Sequence, residues 1–159
     1  MSDTRTSVLF VCLGNICRSP LAEGVFLHLA QQRGVNDRFD VDSCGTGGWH
    51  AGERPDPRSL AVAEKHGVSL PGHARKYAPG ADNALDWLIP MDTSNRDDLI
   101  EGGAPRERVR LLRSFDPRLK DMPERSLDVP DPYYGAPGGF DEVYEMIHRA
   151  CEGMLDALA

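Results

Sequence analysis

Apolar residues never run to membrane-spanning length in this chain, and it contains no G-x-G-x-x-G, no C-x-x-C pair and no zinc-like spacing of its five histidines. The first absence, together with a polar Met-Ser-Asp-Thr-Arg-Thr-Ser opening, predicts neither a membrane span nor a secretion signal, and so a cytoplasmic protein. The second removes the dinucleotide fingerprint, and the others leave no metal-ligand set. Positive charge is in deficit as well: 18 Lys and Arg stand against 25 Asp and Glu, a net charge of −7 that argues against a nucleic-acid partner. Acidity of that size also slows the approach of acidic peptides. Cysteine is limited to Cys12, Cys17, Cys44 and Cys151, expected to stay reduced, with Cys44 and Cys151 as core residues. Repeats, low-complexity tracts and linkers are missing, so 159 residues predict a single domain over 1–159.

What is present alternates strand and helix patterns. Val8 to Val11 is an all-apolar run, the mark of a strand covered on both faces. Leu21, Val25, Phe26 and Leu29 then recur at helical spacing from Pro20, with Gly34 as a stop. Phe39 to Cys44 reads as a second strand. Asp56 and Pro57 open a helix that Gly67 ends, and residues 68–84 predict at most a short helical turn. Trp87 to Met91 reads as a third strand, Asp92 begins a helix stopped by Gly102-Gly103, and Val109 to Leu112 reads as a fourth strand. Prolines rule out regular structure over 116–139, and an apolar stripe from Phe140 to Leu158 predicts a closing helix. The pattern predicts an α/β fold: a four-stranded parallel sheet with helices on both faces, ligands sitting at the strand C-termini.

Cys12 lies at one of those C-termini. Five residues, Leu13, Gly14, Asn15, Ile16 and Cys17, separate it from Arg18, and Ser19-Pro20 opens the helix. A loop of that length can curl its N–H groups around one tetrahedral oxyanion, and Gly14 and Asn15 tolerate left-handed backbone angles in such a curl. A thiol acts as a nucleophile when ionised, and a helix N-terminus beside an arginine favours that form. The combination points to a phosphate trap with a nucleophile inside it. Ser19 suits either a hydrogen bond to the sulfur or the helix N-cap.

Cys12-Leu-Gly-Asn-Ile-Cys-Arg-Ser, joined to Asp131-Pro-Tyr-Tyr, closely resembles the low-molecular-weight protein tyrosine phosphatase family, and the likeness continues through Val41-Asp-Ser, Met91-Asp and Ser94-Asn95. The resemblance implies a three-layer α/β/α, Rossmann-like phosphotyrosine phosphatase I fold. It also implies hydrolysis of aryl phosphomonoesters through a phosphocysteine, with no metal and no cofactor. Cys12 is then the nucleophile, Arg18 and the loop amides hold the phosphate, and Asp131 is general acid and base, with Asp128 as the competing carboxylate. Trp49, Tyr133 and Tyr134 resemble aromatic walls for a phenyl ring, though Tyr134 suits packing equally. Asn15 and Ser43 resemble residues that support the loop. Cys17 is implied as a redox partner that traps oxidised Cys12 as a disulfide. His50 suits a peptide contact or a solvated surface, and support of Asn15 from around His73 is not expected.

Expected partners are phosphotyrosine proteins and a cognate tyrosine kinase, with inorganic phosphate and other oxyanions as inhibitors. Arsenate reduction on the same loop needs two further redox cysteines, and residues 68–90 hold none. A binding module that holds phosphotyrosine without cleaving it requires loss of the nucleophile or the acid, and both are present.

Overall fold

The computed structural model describes residues 5–133 and 139–159; Tyr134 lies outside the described residues. Three parallel strands, β1 (Thr6–Cys12), β2 (Phe39–Gly45) and β3 (Trp87–Pro90), are ordered β2-β1-β3. The helices are α1 (Arg18–Gln32), α2 (Pro57–Lys65), the single turn α3 (Pro79–Asp82), α4 (Thr93–Glu101) and α5 (Gly139–Leu158).

Alternation along β1 splits the core in two. Val8, Phe10 and Cys12 face α1, α2 and α5, meeting Leu21, Phe26, Val62, Ile147 and Met154. Leu9 and Val11 face the other way, toward Leu99 of α4, Tyr77 and Ala104. Helices therefore cover both faces, and Val8–Val11 is at most 1% exposed, as a two-sided strand requires. Phe10 and Phe26 have ring centroids 5.7 Å apart, and burying each such side chain contributes about 1.5–3 kcal/mol. Cys44 and Cys151 are fully buried, and all four cysteines are free thiols.

The expected fourth strand is reduced to one parallel bridge, Leu88 to Val109, closed by Arg110 N–H donating to Leu88 O at 3.1 Å. Its surroundings explain the shortening. A 3₁₀ turn over Arg106–Arg108 ends immediately before it, and another over Leu112–Phe115 begins three residues after Val109, so too little extended chain is left for a ladder. Two further 3₁₀ turns, Pro117–Leu119 and Glu124–Leu127, occupy the proline-rich arm. Elsewhere the helix signals act as read. Asp56 and Asp92 cap α2 and α4 through Arg58 N and Asn95 N, and Gly34 and Gly67, at φ +71° and +75°, follow α1 and α2. Among the described residues, no helix is long and apolar enough to cross a membrane.

This topology places the end of β1 where the chain passes from β2 on one side to β3 on the other, the crevice in which such sheets bind ligands. Cys12 is the last residue of that strand.

Candidate active site

The loop from Leu13 to Cys17 is held from behind. Cys12 O and Leu13 O accept from Thr46 N and Gly47 N at 2.9 and 2.8 Å, and Ile16 O accepts from Asp56 N at 2.8 Å. Among the described residues, the N–H groups of Leu13, Gly14, Ile16 and Cys17 donate to no backbone carbonyl. Four such donors around a buried thiol are positioned to receive the oxygens of an anion. Gly45 permits this closeness: a Cβ there would fall 2.7 Å from Leu13 O. Sequence reading missed Gly45, since only the fold brings β2's end beneath the loop.

Asn15 takes the left-handed conformation, φ +56°, and its side chain repays the strain with three bonds. Nδ2 donates to Ser19 Oγ and Ser43 Oγ at 2.8 and 3.0 Å, and Oδ1 accepts from Arg75 N at 2.9 Å. Support from 71–75 therefore exists, through the Arg75 main chain, while His73 is exposed. The Arg75 guanidinium is clamped by Asp82 at 3.0 Å and Asp42 at 3.0 Å, which fixes that amide. Ser43 Oγ in turn donates to buried Glu23 Oε1 at 2.6 Å. Burial, with Asp42 adding to it, raises the Glu23 pKa to about 7 against the Ser43 bond and Arg75. Neither Glu23 nor Arg75 carried a sequence signal, because their partners lie 20 and 60 residues away.

Cys12 sits above this network and is only 2% exposed. Ser19 Oγ is 3.0 Å from its sulfur and Asn15 N–H donates to that sulfur at 3.2 Å. The α1 N-cap is Cys17, and it makes no side-chain capping bond. Ser19 thus lies inside the first turn and is not the cap; its hydroxyl belongs to the sulfur's surroundings. Cys17 is buried, and burial with Asp56, Cys12 and Asp131 nearby pushes its thiol up to about 12.

Arg18 is 2% exposed and aimed by two acceptors, Asp92 Oδ2 at 2.6 Å and Val129 O at 2.9 Å. Burial opposes its charge, but Cys12, the Asp92 bond and Asp131 outweigh it, and the net shift is upward. Asp92, readable from sequence only as a helix cap, thus also orients the guanidinium across 74 residues. Asp131 Oδ2 lies 3.6 Å from Arg18 Nη2, with its side chain 40% exposed. Asp128 is occupied elsewhere, accepting from Thr93 N at 2.9 Å at the start of α4.

A cavity of about 410 Å³ brings Cys12, Arg18 and Asp131 together with Trp49, His50 and Tyr133 on its walls. His50 packs over Gly14, where a Cβ would meet its ring at 3.1 Å, and bonds Glu53 at 3.1 Å, so it is a wall and not a free surface group. Arg58, which sequence reading missed, stacks 5.4 Å over the Tyr133 ring and donates to Tyr133 O at 3.2 Å.

The sequence model described as Low molecular weight phosphotyrosine protein phosphatase matches residues 7–159. The low molecular weight protein-tyrosine-phosphatase of Streptomyces coelicolor is 45% identical over 155 residues, covering 95% of this chain and 92% of that one. Low molecular weight protein-tyrosine phosphatase A of Mycobacterium tuberculosis is 43% identical, covering 98% and 93%. A crystal structure of a protein tyrosine phosphatase from Entamoeba histolytica, with Hepes in its active site, superposes at TM-score 0.86 and 31% identity, covering 96% of each chain.

Proposed function

The chain belongs to the low molecular weight phosphotyrosine protein phosphatase family, and from that premise we propose that it hydrolyses protein phosphotyrosine and other aryl phosphomonoesters through a phosphocysteine on Cys12. The observation that carries the residue roles is the shared cavity of Cys12, Arg18 and Asp131. Cys12 Sγ attacks phosphorus in line, forming the S–P bond as the P–O bond to the phenol breaks. Asp131 gives its proton to the departing oxygen, and afterwards takes one from the water that cleaves S–P and frees phosphate. The bare amides of Leu13, Gly14, Ile16 and Cys17, with the Arg18 fork, hold the equatorial oxygens as charge redistributes. Ser19 and Asn15 N–H steady the sulfur as it leaves phosphorus, and Ser43 supports the loop through Asn15.

Trp49 and Tyr133 flank the phenyl ring. The substrates are then phosphotyrosine proteins within one domain's reach, in the cytoplasm, opposing a tyrosine kinase; phosphate and other oxyanions compete for the loop. Cys17 acts as the redox partner. Peroxide converts the Cys12 thiolate to a sulfenic acid, and Cys17 condenses with it to a disulfide with loss of water. With its pKa near 12 Cys17 is a thiol at neutral pH, so peptide mapping after peroxide should find the disulfide forming faster as pH rises; no disulfide at any pH removes this role.

The test is metal-free hydrolysis of para-nitrophenyl phosphate. Cys12→Ser should lower turnover by on the order of 10⁴ or more while inorganic phosphate still binds, because the amides and Arg18 remain. Wild type should yield an acid-trapped phosphocysteine. Equal rates for the two proteins would sink the assignment.

A further inference from the structure

A second groove, of about 480 Å³, continues from the phosphate cavity, with Leu13 and Trp49 lining both. Its near end is apolar and open to solvent: Leu13 is 42% exposed and Trp49 72%. The indole is seated by the absence of a side chain at Gly47, where a Cβ would fall 1.8 Å from Trp49 Cζ3. Thr46 also lines the groove, and its Oγ1 is buried without a hydrogen-bond partner among the described residues. Such an oxygen is completed by a ligand or water. The far wall is the last turn of α4, where Asp98 and Glu101, three residues apart, share one face. Both are exposed, and among the described residues neither has an ion-pair or side-chain hydrogen-bond partner. Among the described residues that line the groove, Lys76 is the one cation. Two carboxylates at a helix C-terminus outweigh one ammonium, on a chain of net charge −7.

We propose that this groove receives the peptide segment on one side of the phosphotyrosine and selects Lys or Arg there. The inference rests on the phosphatase reading. Its occupant follows from continuity and charge: a chain leaving the phosphate cavity passes between Leu13 and Trp49, offers main-chain groups to Thr46, and brings its next long side chains to Asp98 and Glu101. A basic side chain lays its aliphatic stem along the apolar end and its charge against the carboxylates. An acidic one meets two like charges.

The experiment compares synthetic phosphotyrosine peptides that differ only in carrying Lys or Glu at each of the flanking positions, at low ionic strength. The expected result is a kcat/KM about three- to tenfold higher for Lys on one side of the phosphotyrosine, carried mostly by KM and shrinking as salt is added. The double variant Asp98→Lys with Glu101→Lys should abolish or invert that preference and leave para-nitrophenyl phosphate turnover unchanged. Lys76→Glu should enlarge the preference, which keeps the test open if the double variant folds poorly. Equal constants for the two peptide series, or a preference that survives the double variant, would overturn this inference alone. No turnover of para-nitrophenyl phosphate by wild type would overturn the phosphatase reading and this inference with it.

Discussion

The phosphate loop and the arm that carries Asp131 serve one cavity but are built to opposite standards. Around the loop, Cys12, Asn15, Arg18 and Ser19 are each at most 2% exposed, and Asn15 alone holds Ser19, Ser43 and the Arg75 amide. Asp131 is 40% exposed on its side chain and meets Arg18 at 3.6 Å. The difference fits the tasks proposed for the two regions. Donors that stabilise developing charge act best when they need no rearrangement, so the loop is locked before substrate arrives. A group that gives a proton to the leaving oxygen and later takes one from water must be reached by both, so it cannot be sealed in the same way.

Removing the proposed acid should break the comparison most. Asp131→Asn keeps the loop's hydrogen bonds and should lower kcat on phenyl phosphate, whose phenolate is a poor leaving group, by ~10² to 10⁴. The loss on para-nitrophenyl phosphate should be much smaller, because that phenolate departs with little help. Asp128→Asn is the control: its carboxylate accepts from Thr93 N and Oγ1 at the start of α4, so it should weaken the arm's anchorage with no steepening of the leaving-group dependence. A steeper dependence in the Asp128 variant and none in the Asp131 variant would exchange their roles.

The loop's rigidity has its own cost, which pH exposes. Glu23 is buried beneath Ser43, and burial raises its pKa from 4.5 to about 7. The folded state therefore keeps this proton to higher pH than the unfolded chain does. Its contribution to stability is fully present below pH 4.5 and is lost as pH rises through 7, a change on the order of 3 kcal/mol. Glu23→Gln keeps an oxygen that accepts from Ser43 and has no charge to bury. Urea denaturation should find the variant close to wild type at pH 5 and clearly more stable at pH 8. The same pH slope in both proteins would show that Glu23 ionises in the fold without penalty.

These two regions also differ in how much of them was legible beforehand. Cys12, Arg18 and the loop between them could be read because six consecutive steps of chain hold nucleophile, turn residues, arginine and helix start in one order. The caps Asp56 and Asp92 could be read because a cap is a local bond. What could not be read is where distant residues return. The second acceptor of Arg18, Val129 O, is 111 residues away, and Gly45 touches the loop only because β2 is parallel to β1 in register, Cys12 opposite Gly45. The fourth strand failed for a related reason. Val109 to Leu112 has strand composition, yet the 3₁₀ turns on either side decide how much chain is free to pair, and one bridge is what is left.

Arg58 is the link that joins the two standards, and its removal should sharpen the contrast by a smaller amount. Asp56 N–H donates to Ile16 O of the loop, while the Asp56 carboxylate accepts from Arg58 Nε and Nη2, both at 3.0 Å. Arg58 then donates to Tyr133 O at 3.2 Å and stacks 4.7 Å from the Phe140 ring, on either side of the segment that follows Asp131. Its fork thus stands between the loop and the arm, and Arg58 is not among the described residues that line the phosphate cavity. Arg58→Ala should leave phosphate binding unchanged and lower kcat on phenyl phosphate about tenfold, since a misplaced acid loses rate faster than a misplaced surface group. Para-nitrophenyl phosphate should lose far less. Arg58→Lys keeps the charge without the two-pronged hold and should restore only part of the rate. A purely structural role for Arg58 would lower both substrates equally and move KM with kcat; that outcome would place the arm's position in its own backbone and leave Arg58 as a surface ion pair.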